Sequence, residues 1–286
     1  MKIQLAEHYG LCFGVRDAIA QAERLAAQGP LTILGELVHN PVVRERLAQR
    51  GVREGALNDE SAPTPQVMIT ALGASERRRA EWRGAGFGVA DGTCPLVRHA
   101  HGQLGLLVSL GYFPVVIGKR GHVEVAGLTG DFPDAFVVER ADDISQLPQH
   151  ERYGVISQTT QPVEKVQALV AAIRCARPGS EVRFSDTVCQ PTKNRQRALR
   201  KLLAECDTMV VVGGRNSNNT AQLVTAASAA GLAVFHIERA EELKPAWFST
   251  AENVGLTAGT STLRETVAAV HERLKEIAAS RTPATA

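Results

Sequence analysis

Hydrophobic positions alternate between two rhythms along the 286 residues. Short, almost wholly apolar runs include KIQLAE, LTILGEL, VMITALG, FPVVIG, AFVVE, YGVISQT, TMVVVGG, AVFHIE and NVGLTAG. Between them lie longer stretches in which apolar positions recur every three to four residues. Continuous β-branched runs suit parallel strands covered on both faces, and the longer period suits helices packed against them. Helices are predicted over residues 15–27, 41–50, 96–110, 162–176, 194–206, 221–230 and 262–279. Strand–helix alternation of this kind builds βαβ units, so the expected fold class is α/β with mostly parallel sheets.

No Pro- or Ser-rich linker divides the chain. A weak threefold rhythm does, because three segments of a few strands and helices each carry a cysteine in a similar setting. These settings are LCFGVRDAI, TCPLVRHAH and VCQPTKNRQRA. The expected division is 1–94, 95–187 and 188–286, the last with a C-terminal tail, SRTPATA.

Composition narrows the function classes. A net charge of +2 and 5% aromatic residues supply neither the field nor the stacking surface of a nucleic-acid binder. No apolar run approaches the roughly 18–20 residues needed to span a bilayer. The start, MKIQLAEHYG, reads as a strand rather than a signal peptide, so a cytoplasmic location is expected. The five cysteines, Cys12, Cys94, Cys175, Cys189 and Cys206, are an odd set that does not suggest a disulfide framework.

Three of these thiols stand where a strand or loop turns into a helix. Cys12 precedes a glycine and then a helical pattern, and Cys94 and Cys189 are each followed within two residues by a proline that suits a first helical turn. Helix N-termini carry unpaired N–H groups and partial positive charge, which favour the thiolate, the form that binds metal. A structural zinc site normally shows close cysteine pairs, and none is present. Three distant thiolates fit a site assembled between domains; on a cubane cluster they leave one iron without a protein ligand. The plain alternative is three unrelated buried cysteines, since the residue type is often buried. Cys175 and Cys206, near the ends of amphipathic helices, illustrate that alternative as expected packing residues.

The surrounding motifs weigh against it. HYGLCFGVRDAI, ELVHNPVV, DGTCPLV, GHVEV, SQTT, VCQPTKNRQ, VVVGGRNSNNT and GLTAGTS occur in this order. Together they resemble the LytB/IspH family of 4-hydroxy-3-methylbut-2-enyl diphosphate reductases, from about Ile3 to about Lys275. The resemblance implies three α/β domains in pseudo-threefold arrangement around a cavity. It implies a [4Fe–4S] cluster on Cys12, Cys94 and Cys189 with one open iron. It also implies reductive loss of a hydroxyl from an allylic diphosphate, giving isopentenyl and dimethylallyl diphosphate, with electrons from ferredoxin or flavodoxin.

On that plan His39, His122, Ser217, Asn218, Asn219 and Ser261 fall on diphosphate-binding positions. GGRNSNNT follows an apolar strand and opens a helix, a natural phosphate cradle, although the same residues also make ordinary helix caps. Glu124 falls on the family's proton donor, and Thr159 on a hydroxyl that orients the proton.

The resemblance breaks at one place. The family has a third diphosphate-binding histidine in Ser-Ala-His-Gly-Val-Ser, where this chain reads TALGAS and places Leu72. GHVEVAG departs more mildly, with Val123 for a proline and Ala126 for a glutamate. Three readings stay open. The chain is the reductase with a compensating donor such as Lys119 or Arg120; or a relative with the same cluster and a less charged substrate; or a non-redox metal or small-ligand binding protein on the same fold.

Overall fold

The computed structural model describes residues 1–38 and 40–281. Its strands are β1 (Lys2–Leu5), β2 (Leu31–Leu34), β3 (Arg53–Gly55), β4 (Gln66–Ile69), β5 (Gly88–Asp91), β6 (Phe113–Ile117), β7 (Phe136–Val138), β8 (Arg152–Ser157), β9 (Glu181–Phe184), β10 (Thr208–Val212), β11 (Ala233–Ile237) and β12 (Asn253–Ala258). The α-helices are α1 (Phe13–Ala26), α2 (Pro41–Gln49), α3 (Glu76–Gly84), α4 (Pro95–Ser109), α5 (Val123–Thr129), α6 (Val163–Ala176), α7 (Gln190–Glu205), α8 (Asn218–Ala229) and α9 (Arg264–Ser280).

All pairings are parallel, in three four-stranded sheets ordered β3-β2-β4-β5, β7-β6-β8-β9 and β1-β12-β10-β11. The α/β class with parallel sheets is therefore what the residues form. Every apolar run named above contains a strand. The central strands β2, β4, β6, β8, β10 and β12 are buried along most of their length, because helices cover both faces of each sheet.

The three sheets repeat one topology. In each, a first central strand leads to an edge strand, and the chain then crosses back to place the second central strand on the other side. A fourth strand closes the opposite edge. This reversal is a topological switch point, where the loops leaving the two central strands splay apart and open a crevice. The third sheet takes β1 as its fourth strand, so its members come from both ends of the chain.

Two compact units result: Met1–Phe13, Val38–Val43 and Gln190–Ala286 in one, Gly14–Leu37 and Arg44–Cys189 in the other. In the first unit α9 packs on one face of the sheet, through Val267, Val270, Leu274 and Ile277, and α7 and α8 cover the other through Leu199, Leu202 and Leu223. In the second, Trp82 of α3 anchors the core of one sheet. The other sheet is covered by α6 on one face and by α4 with α5 on the other.

Candidate functional site

Each of the three cysteines predicted as ligands is the residue immediately before a helix: Cys12 before α1, Cys94 before α4 and Cys189 before α7. Each also follows the fourth strand of a sheet: β1, β5 and β9. Cys94 is the N-cap of α4, with Pro95 in the first turn, and its N–H donates to Ala71 O at 3.1 Å. All three are partly exposed, and none of the five cysteines is in a disulfide.

The first turn of α1 lies directly against the Cys94 thiol. A Cβ added to Gly14 would stand 2.4 Å from Cys94 Sγ, so only glycine fits there. Gly14 is two residues after Cys12 in the sequence. The chemistry of these donors, three thiols each at a helix start, suits an iron–sulfur group.

The acid sits in the switch-point crevice of the sheet β7-β6-β8-β9. His122 and Glu124 follow β6, and Thr159 follows β8. His122 is the N-cap of α5, and its Nδ1 accepts the N–H of Glu124 at 3.1 Å, which places the ring proton on Nε2. Glu124 is fully buried. Its Oε1 accepts the N–H of Thr159 at 2.6 Å, while Oε2 is buried with no hydrogen-bond partner among the described residues. Burial pushes the Glu124 carboxyl up to about 7, against the opposing hydrogen bonds from Thr159. Thr159 in turn accepts the N–H of Cys189 on its carbonyl at 2.9 Å. The Glu124 carboxyl, the Thr159 main chain and the Cys189 N–H are consecutive links of one hydrogen-bonded chain.

A stability effect follows from this carboxyl. The unfolded chain ionises it near 4.5, whereas the folded chain keeps its proton to about pH 7. Between those values the folded state binds more protons, so stability falls as pH rises through this window. The loss is on the order of 3 kcal/mol, at about 1.4 kcal/mol for each unit of displacement. Urea unfolding of cluster-free protein at pH 5 and pH 8 is expected to show that decline in the wild type and to lack it in Glu124→Gln.

The other unit carries a hydroxyl and amide cradle at the switch point between β10 and β12. Ser217 is the N-cap of α8 and its Oγ accepts the N–H of Thr220 at 3.3 Å. Asn218 and Asn219 form the first turn, and Asn219 Oδ1 accepts the N–H of Thr260 at 3.0 Å. Ser261, after β12, is buried, with its Oγ lacking a hydrogen-bond partner among the described residues. Glycine is required where these loops close on α8, since a Cβ on Gly259 would meet Thr220 Oγ1 at 2.1 Å. A helix start and a buried hydroxyl without a partner are both features that an anion can satisfy. Sequence reasoning missed Asn40, whose Nδ2 donates to the Ser261 carbonyl at 3.0 Å and fixes that loop. Its position within LVHN was the available signal. His39 itself lies outside the described residues.

Leu72 follows β4, the second central strand of its sheet, as Thr159 follows β8 and Ser261 follows β12. Two of these three equivalent loops present a hydroxyl; the third presents a half-buried leucine. Arg120, two residues before His122, is engaged by other groups. Its guanidinium donates to Val137 O at 2.8 Å and pairs with Asp143 at 3.0 Å. Cys175 is exposed on α6 and is not the packing residue expected, whereas Cys206 is half-buried against the core.

A family model described as LytB protein matches residues 3–275. The chain is 37% identical over 281 residues to the 4-hydroxy-3-methylbut-2-enyl diphosphate reductase of Aquifex aeolicus (strain VF5), covering 96% of each chain. It is 36% identical over 280 residues to the enzyme of the same name from Pelobacter propionicus (strain DSM 2379 / NBRC 103807 / OttBd1), covering 97% of this chain and 99% of that one. A solved structure of the E-1-hydroxy-2-methyl-but-2-enyl-4-diphosphate reductase from Plasmodium falciparum matches with a TM-score of 0.87 and 26% identity, over 99% of this chain and 89% of that one. Another, of (E)-4-hydroxy-3-methyl-but-2-enyl diphosphate reductase, the terminal enzyme of the non-mevalonate pathway, matches with a TM-score of 0.69 and 36% identity, over 96% and 100%. Three parallel sheets, one of which carries a buried acid beside its central strands, are those of an α/β enzyme. The chain belongs to the LytB family.

Proposed function

We infer that this chain is a reductive dehydroxylase that converts 4-hydroxy-3-methylbut-2-enyl diphosphate to isopentenyl and dimethylallyl diphosphate. The observation that carries the chemistry is Glu124: a wholly buried carboxyl, protonated to about pH 7, bonded to Thr159, which is itself bonded to Cys189. Such a group is poised to give up a proton in a place from which bulk water is excluded.

Cys12, Cys94 and Cys189 would hold a [4Fe–4S] cluster with one iron left open to substrate. When bound, the cluster would relay two electrons from an external donor, one at a time, and supply a Lewis-acidic iron. The chain's own residues do the rest. Ser217, Asn218, Asn219 and Ser261, with His39 and His122, hold the diphosphate through hydroxyl, amide and imidazole donors. Glu124 gives its proton to the departing hydroxyl, so that the C–O bond breaks with loss of water rather than hydroxide. Thr159 orients that proton. A second proton goes to carbon, and the two electrons complete the balance. Ferredoxin or flavodoxin would deliver the electrons, in a cytoplasm that keeps the thiols reduced. Anaerobic incubation of reconstituted protein with the diphosphate and a chemical reductant is the test, and both product diphosphates are expected.

Leu72 supports a second reading, a less charged substrate, because a leucine neither donates a hydrogen bond nor carries charge. On the main reading its effect is confined to affinity. Leu72→His is expected to lower KM for the diphosphate about tenfold or more, with a smaller change in kcat. That follows from adding one charge-assisted hydrogen bond of roughly 1.5–3 kcal/mol. Steady-state kinetics of the two proteins side by side checks it.

A further inference from the structure

Behind Cys94 runs a polar chain, buried at Arg79 and Thr93, that the proton and phosphate chemistry does not use. Asp91, at the end of β5, accepts on Oδ1 both the N–H of Thr93, at 2.9 Å, and the Thr93 hydroxyl. The same hydroxyl accepts from Arg79 Nη2 at 3.0 Å. Arg79 is 4% exposed; its Nη1 donates to Glu76, and its Nε lies 3.7 Å from Asp91 Oδ2. Thr93 is 3% exposed, so neither of its hydroxyl's partners is readily replaced by water. Gly92 completes the constraint, because a Cβ there would stand 2.5 Å from Met68 Cε and 2.6 Å from Ile69 O. The three residues before Cys94 are therefore fixed through main chain and side chain together.

Burying a guanidinium here is costly unless it is paired and hydrogen-bonded. Glu76 and Thr93 take the two Nη groups, Asp91 supplies the opposite charge 3.7 Å from an Nε that has no hydrogen-bond partner among the described residues, and the arrangement converges on a single hydroxyl adjoining the Cys94 peptide. We propose that Arg79, Asp91 and Thr93 are positioning residues that fix the direction in which Cys94 presents its thiolate to the cluster. The proposal rests on the reading of Cys94 as a ligand. Outer-shell partners that orient metal ligands typically matter about 10–100-fold in metal retention or activity.

Thr93→Val keeps the shape of the side chain and removes the hydroxyl, leaving Arg79 Nη2 and Asp91 Oδ1 each short of a partner. Thr93→Ser restores the hydroxyl. Arg79→Lys keeps the charge but not the planar fork that reaches Glu76 and Thr93 together. The measurements are the rate of iron loss to a chelator from anaerobically reconstituted full-length protein, the electron paramagnetic resonance spectrum of its reduced cluster, and the thermal midpoint of cluster-free protein. Thr93→Val and Arg79→Lys are expected to lose iron about tenfold faster than wild type and to give a shifted spectrum. Thr93→Ser is expected to stay within about twofold of wild type, and the cluster-free midpoint of Thr93→Val to fall by only a few degrees, a loss that would not by itself shift the spectrum. A wild-type loss rate and spectrum in Thr93→Val would overturn the proposal and leave the cluster assignment standing. So would a Thr93→Ser protein as leaky as Thr93→Val, or a leakiness fully matched by a drop in the cluster-free midpoint. Wild-type protein that takes up no iron and sulfide would overturn the assignment of Cys94 and the proposal with it.

Discussion

Replacing any one of Cys12, Cys94 or Cys189 with alanine is expected to abolish turnover and to strip most of the iron and acid-labile sulfide from the protein. The size of the effect follows from the ligand number. A cubane on three thiolates already has one iron without a protein ligand, and a second such iron leaves the cluster held at two corners only. Cys175→Ala and Cys206→Ala are the controls. Cys175 is exposed on α6, away from any helix start, and burial together with Asp207 and Glu205 pushes the Cys206 thiol up to about 11. A thiol of that kind stays protonated at neutral pH and is a poor metal ligand. Both controls are expected to retain wild-type iron, sulfide and turnover. Iron and sulfide analysis of the five variants checks this. A full complement in any of the first three would remove that cysteine from the ligand set.

Glu124→Gln is expected to keep the cluster and the affinity for substrate and to lower kcat by about two to four powers of ten, the usual contribution of a positioned general acid. Glutamine fills the same volume and can still face the Thr159 N–H, but it has no proton to give. The pH dependence carries a separate signature. Because the wild-type carboxyl is raised to about 7, the donor is present below that pH and is lost as pH rises through it. The wild-type kcat should therefore fall on the alkaline side of about pH 7, and the residual rate of Glu124→Gln should lack that limb. An unchanged kcat in the variant, or an alkaline limb that survives the substitution, would assign the proton to another group.

Much of the fold is legible in the sequence, and the exceptions are mostly polar, exposed elements. The nine apolar runs all contain strands; six of them are central strands covered on both faces, which must be apolar throughout, and β1, β7 and β11 are edge strands that are apolar as well. The strands not anticipated are β3, β5 and β9, whose residues REG, GVAD and EVRF are polar or alternating. Each is an edge strand, with neighbours on one side only and much of its surface in water. Helix α3, ERRRAEWRG, was hidden by its charge, since only Arg79 and Trp82 are buried. Helix α5 was hidden by its shortness and by the valines and glycine it contains. The start of α7 lies four residues ahead of the apolar period, because its first turn, QPTK, is mostly polar.

The site was legible in a different measure. Helix-start cysteines can be read from prolines and glycines in the sequence, and the structure places each immediately before its helix. The special state of Glu124 cannot be read that way, since a lone glutamate in GHVEV carries no sign of complete burial. Nor can the place of Leu72. Only the repeated sheet topology sets it in the loop that corresponds to those of Thr159 and Ser261. The support behind Cys94 was likewise invisible, because Arg79 lies in an unrecognised helix.

The central claim is that these residues form a reductive dehydroxylase for an allylic diphosphate. Its most direct test is the anaerobic turnover of 4-hydroxy-3-methylbut-2-enyl diphosphate by reconstituted protein, in parallel with the same alcohol lacking its diphosphate. Appearance of isopentenyl and dimethylallyl diphosphate, with kcat/KM for the diphosphate at least about a hundredfold above that for the unphosphorylated alcohol, is the predicted result, as expected from loss of two or more charge-assisted contacts. A protein carrying its full complement of iron and sulfide that leaves the diphosphate unreacted would contradict it.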